Sequence, residues 1–409
     1  MDAEFTKNIL QSMDYERARK AHPEGFPELP LIAGGRYTDP EFQQLEWQGL
    51  WKKSWLYACH LDEIPQQGSY LLWKKTGSPI ILLRGEGKDV RAFYNTCRHR
   101  GGPLIKESRG KLDGHFVCGY HGWCYNLHGE LTAIRDKRDF VNFDLSGKSL
   151  QGVKCERIGN WVFINENPQA EALLEHLYPI PEHLQQFRPQ NIRLVNSKTY
   201  DVACNVKILL DAFFEVYHLP SIHQHTVDRF LDYRGTVIKL WSNGHSTMIT
   251  PNRNPDWVDP GTVGMAKIDT VTEIPAQHNM SLNFYPNLIS PMADSGMPFL
   301  TFWPVGINTM QIDCHWFAPD WGEGESDPLW QTRIENFERI LYEDTQFAVQ
   351  IQESVESPGF DGVTLNYQER RIYHWHEELD RRIGIEKIPA HLRVKPVLGS
   401  FVEKTQENS

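Results

Sequence analysis

The chain has 409 residues, 40% of them hydrophobic and 12% aromatic, which is enough to fill the cores of two domains. Its formal charge of −11 argues against a nucleic-acid partner, which would need a basic face. The longest aliphatic run, Ile80 to Leu83, is too short to cross a bilayer, and the acidic, polar start lacks the basic-then-apolar order of a secretory signal, so a cytoplasmic protein outside the membrane is expected.

Residues 1–48 read as a helical segment, and the aromatic-rich stretch from Phe42 to Trp55 should pack on a larger body. From Cys59 to about residue 165 the pattern changes to short strands. Residues 69–73, 79–84, 90–94 and 161–164 are apolar or alternating runs bounded by Gly, Pro, Asn and Asp. A small antiparallel β domain over 49–166 follows.

That domain carries two short segments, Cys97-Arg98-His99 and Cys118-Gly119-Tyr120-His121, with 18 residues between them. Each supplies one thiolate and one imidazole. A Rieske [2Fe–2S] cluster needs this ligand set, with one iron held by two Cys and the other by two His. Gly101, Gly102, Gly119 and Gly122 are expected to let both loops approach the cluster closely. Zinc is the rival reading, but zinc motifs pair like with like, as C-x₂-C and H-x₃₋₅-H. The remaining Cys59, Cys124, Cys155, Cys204 and Cys314 show no disulfide framework and suit a reducing cytoplasm as thiols. Arg98, Arg100, Lys106, Arg109 and Lys111 surround the first loop, either as solvated charges or as a basic patch for an acidic electron donor.

Beyond residue 166 the composition shifts, with prolines near 179–181 and at 189 leading into a second domain over 167–409. A strand at 193–200 precedes a helix at 205–219. Strand-like stretches follow at 236–250, 268–274, 280–290, 299–304 and 309–317, then helices at 328–356 and 366–383. This order predicts an α+β class, with a central antiparallel sheet and a helix gripped against it.

The helix read at 205–219 is apolar around most of its circumference, so it should be buried. Its polar exceptions, Asp211, Glu215 and His218, are spaced by four and three and would form one narrow strip, with His223 five residues further on. By pattern alone the strip is the wet face of an amphipathic helix; the Cys/His pairs upstream turn the reading toward a second metal. In the long helix, Phe337, Leu341, Ala348, Ile351 and Val355 make an apolar stripe, and Asp344 sits in it where an apolar residue belongs. A buried aspartate must be neutral, paired or bound to metal. Two imidazoles and one carboxylate would make the facial triad of non-haem Fe(II). Glu343, one residue off the stripe, is the fallback.

The segment CRHRGGPL…CGYHGWCYNLHGEL resembles the Rieske motif of the ring-hydroxylating oxygenases, including Pro103, Trp123 and Tyr125. Asn205 to His223 resembles the mononuclear-iron motif of the same Rieske non-haem iron oxygenases, with Val206 where the family usually has Trp. The resemblance implies Cys97, His99, Cys118 and His121 as cluster ligands and His218 and His223 as iron ligands. It also supports Asp344, which follows an acidic residue and precedes Gln352 by eight positions. It gives Glu215 the role of bridging an iron-ligating histidine and the Rieske histidine of a neighbouring subunit, which implies a ring-shaped oligomer, typically a homotrimer, with or without β subunits. Asp211 is expected to orient the histidines from behind.

The implied activity is that of a terminal oxygenase. Electrons derived from NAD(P)H arrive through a ferredoxin or flavin reductase, and O₂ is activated to hydroxylate, dihydroxylate or demethylate a small organic substrate. An aromatic compound or aromatic acid is the expected substrate, with a choline-, carnitine- or betaine-like quaternary amine as the alternative. Phe284, Tyr285, Met292 and Trp303 are candidate pocket residues, each also readable as core. A Rieske electron carrier would leave the second site idle, and a ligand-binding protein with a degenerate metal site should have lost ligands.

Overall fold

The computed structural model describes residues 3–254 and 256–403. Two compact units emerge. One comprises residues 52–173, and the other joins the N-terminal 51 residues to everything from Leu174 onward.

In the smaller unit the strands are β1 (Leu56–His60), β2 (Ser69–Trp73), β3 (Ile80–Arg84), β4 (Val90–Tyr94), β5 (Arg109–Lys111), β6 (His115–Val117), β7 (Cys124–Asn126), β8 (Leu131–Ala133), β9 (Gly152–Ile158) and β10 (Trp161–Asn165). Seven form one antiparallel sheet in the order β1-β10-β9-β4-β3-β2-β5, and β6-β7-β8 form a second. Near-continuous apolar runs explain the interior strands: every residue of β3 and β10 is buried. The three-stranded sheet holds up the second Cys/His loop, because β6 ends at Val117 and β7 begins at Cys124.

The larger unit is built on an eight-stranded sheet. Its strands are β11 (Ile192–Val202), β12 (Val237–Trp241), β13 (Ser246–Thr250), β14 (Asn279–Phe284), β15 (Leu288–Met292), β16 (Met297–Gly306), β17 (Thr309–Pro319) and β18 (Val402–Glu403), in the order β11-β17-β16-β15-β14-β13-β12-β18. All neighbours are antiparallel except β12 with β18. Five helices matter here: α1 (Ala3–Ala18), α2 (Val206–Ala212), α3 (Leu219–Ile222), α4 (Leu329–Val355) and α5 (Arg370–Ile383). Leu209, Leu210, Phe214, Leu341, Ala348 and Trp375 share one buried core. Phe42, Leu50 and Trp51 belong to it too, so the aromatic end of the N-terminal segment packs on this unit.

Three local expectations fail. Residues 268–274 form turns that lead into a short helix at Glu273–Gln277 rather than a strand. Between α1 and residue 48 the chain is irregular, with a two-residue strand and short helices at Gly35–Thr38 and Pro40–Glu46 instead of one helical segment. The third failure lies at the site. The helix expected over 205–219 stops at Ala212, and a new turn starts only at Leu219. The Glu215 carboxylate accepts the backbone N–H groups of both Tyr217 and His218, displacing the helical pattern. Pro220, in the first turn of α3, then restarts the helix. Asp211 and Glu215 therefore do not share a single helical strip.

Candidate functional site

The first candidate centre is built by two similar loops. In each, the glycine four residues after a cysteine donates its N–H back to that cysteine's carbonyl, Gly101 to Cys97 at 3.0 Å and Gly122 to Cys118 at 2.9 Å. These turns need left-handed backbone, and Gly101 and Gly122 supply it with φ of +74° and +72°. Gly102 comes close to the second loop, since a Cβ there would lie 3.3 Å from Cys118 Sγ. Gly119 shows neither feature, so of the four glycines expected to serve close approach only Gly102 does, while Gly101 and Gly122 serve the turns. The Asn95 side chain braces the first loop, accepting from the N–H groups of Leu104 and Ile105 and donating to the Ile105 carbonyl.

The four expected ligands sort into two pairs. His99 and His121 face each other with Nδ1 atoms 3.1 Å apart, and Trp123 stacks on His99 at 4.8 Å. Cys97 and Cys118 are buried side by side, with the Cys97 sulfur also 3.3 Å from the Tyr125 hydroxyl. A tetrahedral zinc with bonds of about 2.0–2.3 Å would draw its ligand atoms to within roughly 4 Å of one another. Among the described residues, these four do not make up a group of three or more ligand atoms placed to hold a single metal ion. Thiols on one side and imidazoles on the other fit a two-iron cluster instead. Of the basic residues nearby, Arg109 pairs with Glu63 at 2.7 Å and Lys111 donates to Gln66, while Arg100 lies over the Tyr120 ring.

The second candidate centre brings together His218, His223 and Asp344, with one ligand atom from each mutually within 4.8 Å. Asp344 Oδ1 lies 3.0 Å from His223 Nε2 and 3.6 Å from His218 Nε2. Asp344 and His223 are buried, and His218 is partly so. Each imidazole turns Nε2 inward because a carboxylate holds its other nitrogen. Glu215 binds His218 Nδ1, and Glu343 Oε2 binds His223 Nδ1 at 2.6 Å while accepting the Thr226 hydroxyl at 2.7 Å. Carboxylates behind histidines are the usual support of metal-binding imidazoles. Burial pulls both histidines down, but Glu215 and Asp344 at His218, and Asp344 and Glu343 at His223, outweigh it and raise them. Gln352, one of the buried residues of α4, accepts the Asn205 N–H at 2.6 Å and so ties the start of α2 to α4.

Asp211 lies elsewhere in the network than expected. Its Oδ2 accepts from the Tyr37 hydroxyl at 2.7 Å, and Tyr37 in turn reaches His376, which meets Arg36. The histidine it reaches, through Tyr37, is thus His376 on α5, while Glu215 and Glu343 support the His218/His223 pair. Burial pushes Asp211 up to about 7, and Glu369, near Glu215 and His218, is likewise raised to about 7. Sequence reading missed Tyr37, His376, Thr226 and Glu369; the first three meet partners far away in the chain, and Glu369, which closes a local capping box with Asn366, comes near Glu215 and His218 only through the fold. Phe284, Tyr285, Met292 and Trp303 are all almost fully buried in the hydrophobic interior.

Charge around the second centre is one-sided. Among the described residues, Asp344, Glu215 and Glu343 form ion pairs with histidines and with no Lys or Arg. Also among the described residues, no helix is long and apolar enough to cross a membrane.

Two family profiles match the chain: the Rieske [2Fe-2S] domain over residues 54–148 and the ring hydroxylating alpha subunit (catalytic domain) over residues 189–385. Together the two matches fall on both units of the fold. The chain belongs to the α subunits of the Rieske non-haem iron oxygenases, a family that carries a [2Fe–2S] cluster in one domain and a mononuclear iron in the other. It is 30% identical over 201 residues to the glycine betaine monooxygenase oxygenase subunit of Chromohalobacter salexigens, covering 49% of this chain and 44% of that one. It is 26% identical over 345 residues to the anthranilate 1,2-dioxygenase large subunit of Acinetobacter baylyi, covering 75% and 72%. A quaternary ammonium Rieske monooxygenase solved with L-carnitine shares the fold at a TM-score of 0.72 and 21% identity, covering 89% of this chain and 99% of that one. The match with the betaine relative spans about half of that relative's length.

Proposed function

We propose that this chain is the terminal oxygenase component for a small quaternary ammonium substrate, with His218, His223 and Asp344 holding a mononuclear iron and Cys97, His99, Cys118 and His121 holding the cluster. The observation that carries the reading is the convergence of His218, His223 and Asp344 in a chain that also presents a thiol pair beside an imidazole pair. A Rieske electron carrier would have no use for that convergence. Ferrous iron bound there would supply O₂ activation, with three positions left open by a facial triad.

The residues themselves do the holding. Glu343 and Thr226 fix His223, and Glu215 fixes His218, so that both Nε2 atoms face Asp344. Glu215 further serves as the carboxylate through which a neighbouring subunit's Rieske histidine is coupled to His218, in a homotrimer fed by a ferredoxin or flavin reductase. The substrate class follows from charge and from relatedness. Three carboxylates and no Lys or Arg partner at the centre favour a cationic group over an additional carboxylate, and the betaine relative points the same way. This displaces the aromatic substrate expected from sequence. An aromatic acid is the second reading, favoured by the longer match to anthranilate dioxygenase.

The test is oxygen uptake by the iron-loaded protein with a reductase, comparing glycine betaine, L-carnitine and γ-butyrobetaine with anthranilate and benzoate. Coupled uptake with a quaternary amine supports the proposal. Uptake with aromatic acids alone overturns the substrate class, and no substrate-dependent uptake with either set overturns the oxygenase reading.

A further inference from the structure

Helix α5 begins with two arginines that meet very different surroundings. Arg370 is satisfied: its Nη1 donates to the Tyr367 carbonyl at 2.8 Å, its Nη2 donates to the Ile238 carbonyl at 3.0 Å, and its guanidinium lies 3.9 Å from the Tyr367 ring centre. Arg371 is 1% exposed, and its Nε donates to Ser246 Oγ at 3.0 Å. Among the described residues, neither Nη1 nor Nη2 of Arg371 has a hydrogen-bond partner. Its guanidinium lies over the Phe214 ring at 5.4 Å. Burial and the neighbouring Arg370 pull it down to about 9, which still leaves it cationic at neutral pH. A buried cation beside a second cation, with four N–H bonds unmade, is costly unless an anion completes it.

The surroundings suit an anion with two oxygens. Ser246 Oγ accepts from Arg371 and, at 3.4 Å, from Asn283 Nδ2, so its own proton is free to be donated. Ser246 and Asn283 face each other across β13 and β14. Phe214 immediately precedes Glu215, whose carboxylate holds His218, so the arginine stands beside the segment that carries an expected iron ligand.

We propose that Arg371 anchors the carboxylate of a zwitterionic substrate, gripping it with both Nη groups while the Ser246 hydroxyl gives a third bond. The inference rests on the quaternary ammonium reading: the ammonium end lies toward the carboxylate-rich centre and the acid end on Arg371. A guanidinium is suited to this because its planar donors match a carboxylate two by two.

The test is calorimetric binding to the full, metal-loaded, oxidised protein without reductant, so that no turnover occurs. The probes are γ-butyrobetaine and its neutral amide. The wild type is expected to prefer the acid by about 30-fold, the effect of hydrogen bonds to a charged group. Arg371→Gln should lose that preference, Arg371→Lys should keep part of it, and Ser246→Ala should lower it while leaving the guanidinium in place. Far-UV circular dichroism and retention of the mononuclear iron report whether the larger unit of each variant is folded; if that of Arg371→Gln is not, Arg371→Lys and Ser246→Ala decide. Equal binding of acid and amide by the wild type, or an undiminished preference in the folded variants, overturns the proposal. If neither probe binds but benzoate raises the melting temperature of the wild type and not of Arg371→Gln, the carboxylate site stands and the quaternary ammonium reading falls.

Discussion

Adjacent carboxylates on α4 point to different tasks, and exchanging each for its amide separates them. Asp344 Oδ1 lies 3.0 Å and 3.6 Å from the two Nε2 atoms, whereas Glu343 Oε2 lies 2.6 Å from His223 Nδ1, on the far side of the ring. Asp344→Asn removes a charged ligand from a three-residue site and should abolish retention of ferrous iron. Glu343→Gln removes only the charge behind His223; its amide oxygen can still accept the imidazole N–H and the Thr226 hydroxyl. Loss of such a support weakens metal binding by about 10–100-fold, or roughly 1.4–2.7 kcal/mol. The assay is iron content after dialysis against graded chelator, with cluster absorbance as the internal standard. Asp344→Asn should lose the mononuclear iron at every chelator level, and Glu343→Gln only at the higher ones, both with the cluster spectrum intact. Iron retained in Asp344→Asn and lost from Glu343→Gln would refute the assignment and make Glu343 the ligand.

Glu215→Gln should keep both metals yet slow reduction of the iron centre in single-turnover kinetics; wild-type rates would remove its proposed role in electron delivery. The raised Asp211 gives a pH signature. A carboxyl whose folded value is about 7, above its ordinary 3.8, destabilises the fold progressively as pH rises between those values. The melting temperature of Asp211→Asn should therefore gain on the wild type from about pH 4 to about pH 7 and then level off; a constant difference would contradict the burial argument. The fully buried pair Lys207–Glu46, at 2.8 Å, offers a stability test. Lys207→Met alone should cost about 3–5 kcal/mol in urea unfolding, and adding Glu46→Leu should restore much of it, because the first change strands a buried charge.

Much of this protein is written in short stretches of chain. Cys97 with His99, Cys118 with His121, and His218 with His223 are legible because candidate ligands a few residues apart are kept in one short loop, whatever the rest of the fold does. Asp344 was legible for a different reason: a charge on the apolar stripe of a helix that spans Leu329–Val355 announces that something must meet it. In the smaller unit β2, β3, β4 and β10 followed from apolar runs and their turn residues.

What that charge meets was decided only by the tertiary structure. Periodicity shows that a position is buried without showing against what. The break after Ala212 depends on a glutamate bonding to its own backbone, so continuous apolar periodicity over-extended the helix. Tyr37 reaches Asp211 and His376 across the fold, and the two Nη groups of Arg371, beside Phe214, have no hydrogen-bond partner among the described residues. Such contacts arise when distant segments pack into one core, and they leave no trace in local spacing because burial and pairing are properties of the assembled interior.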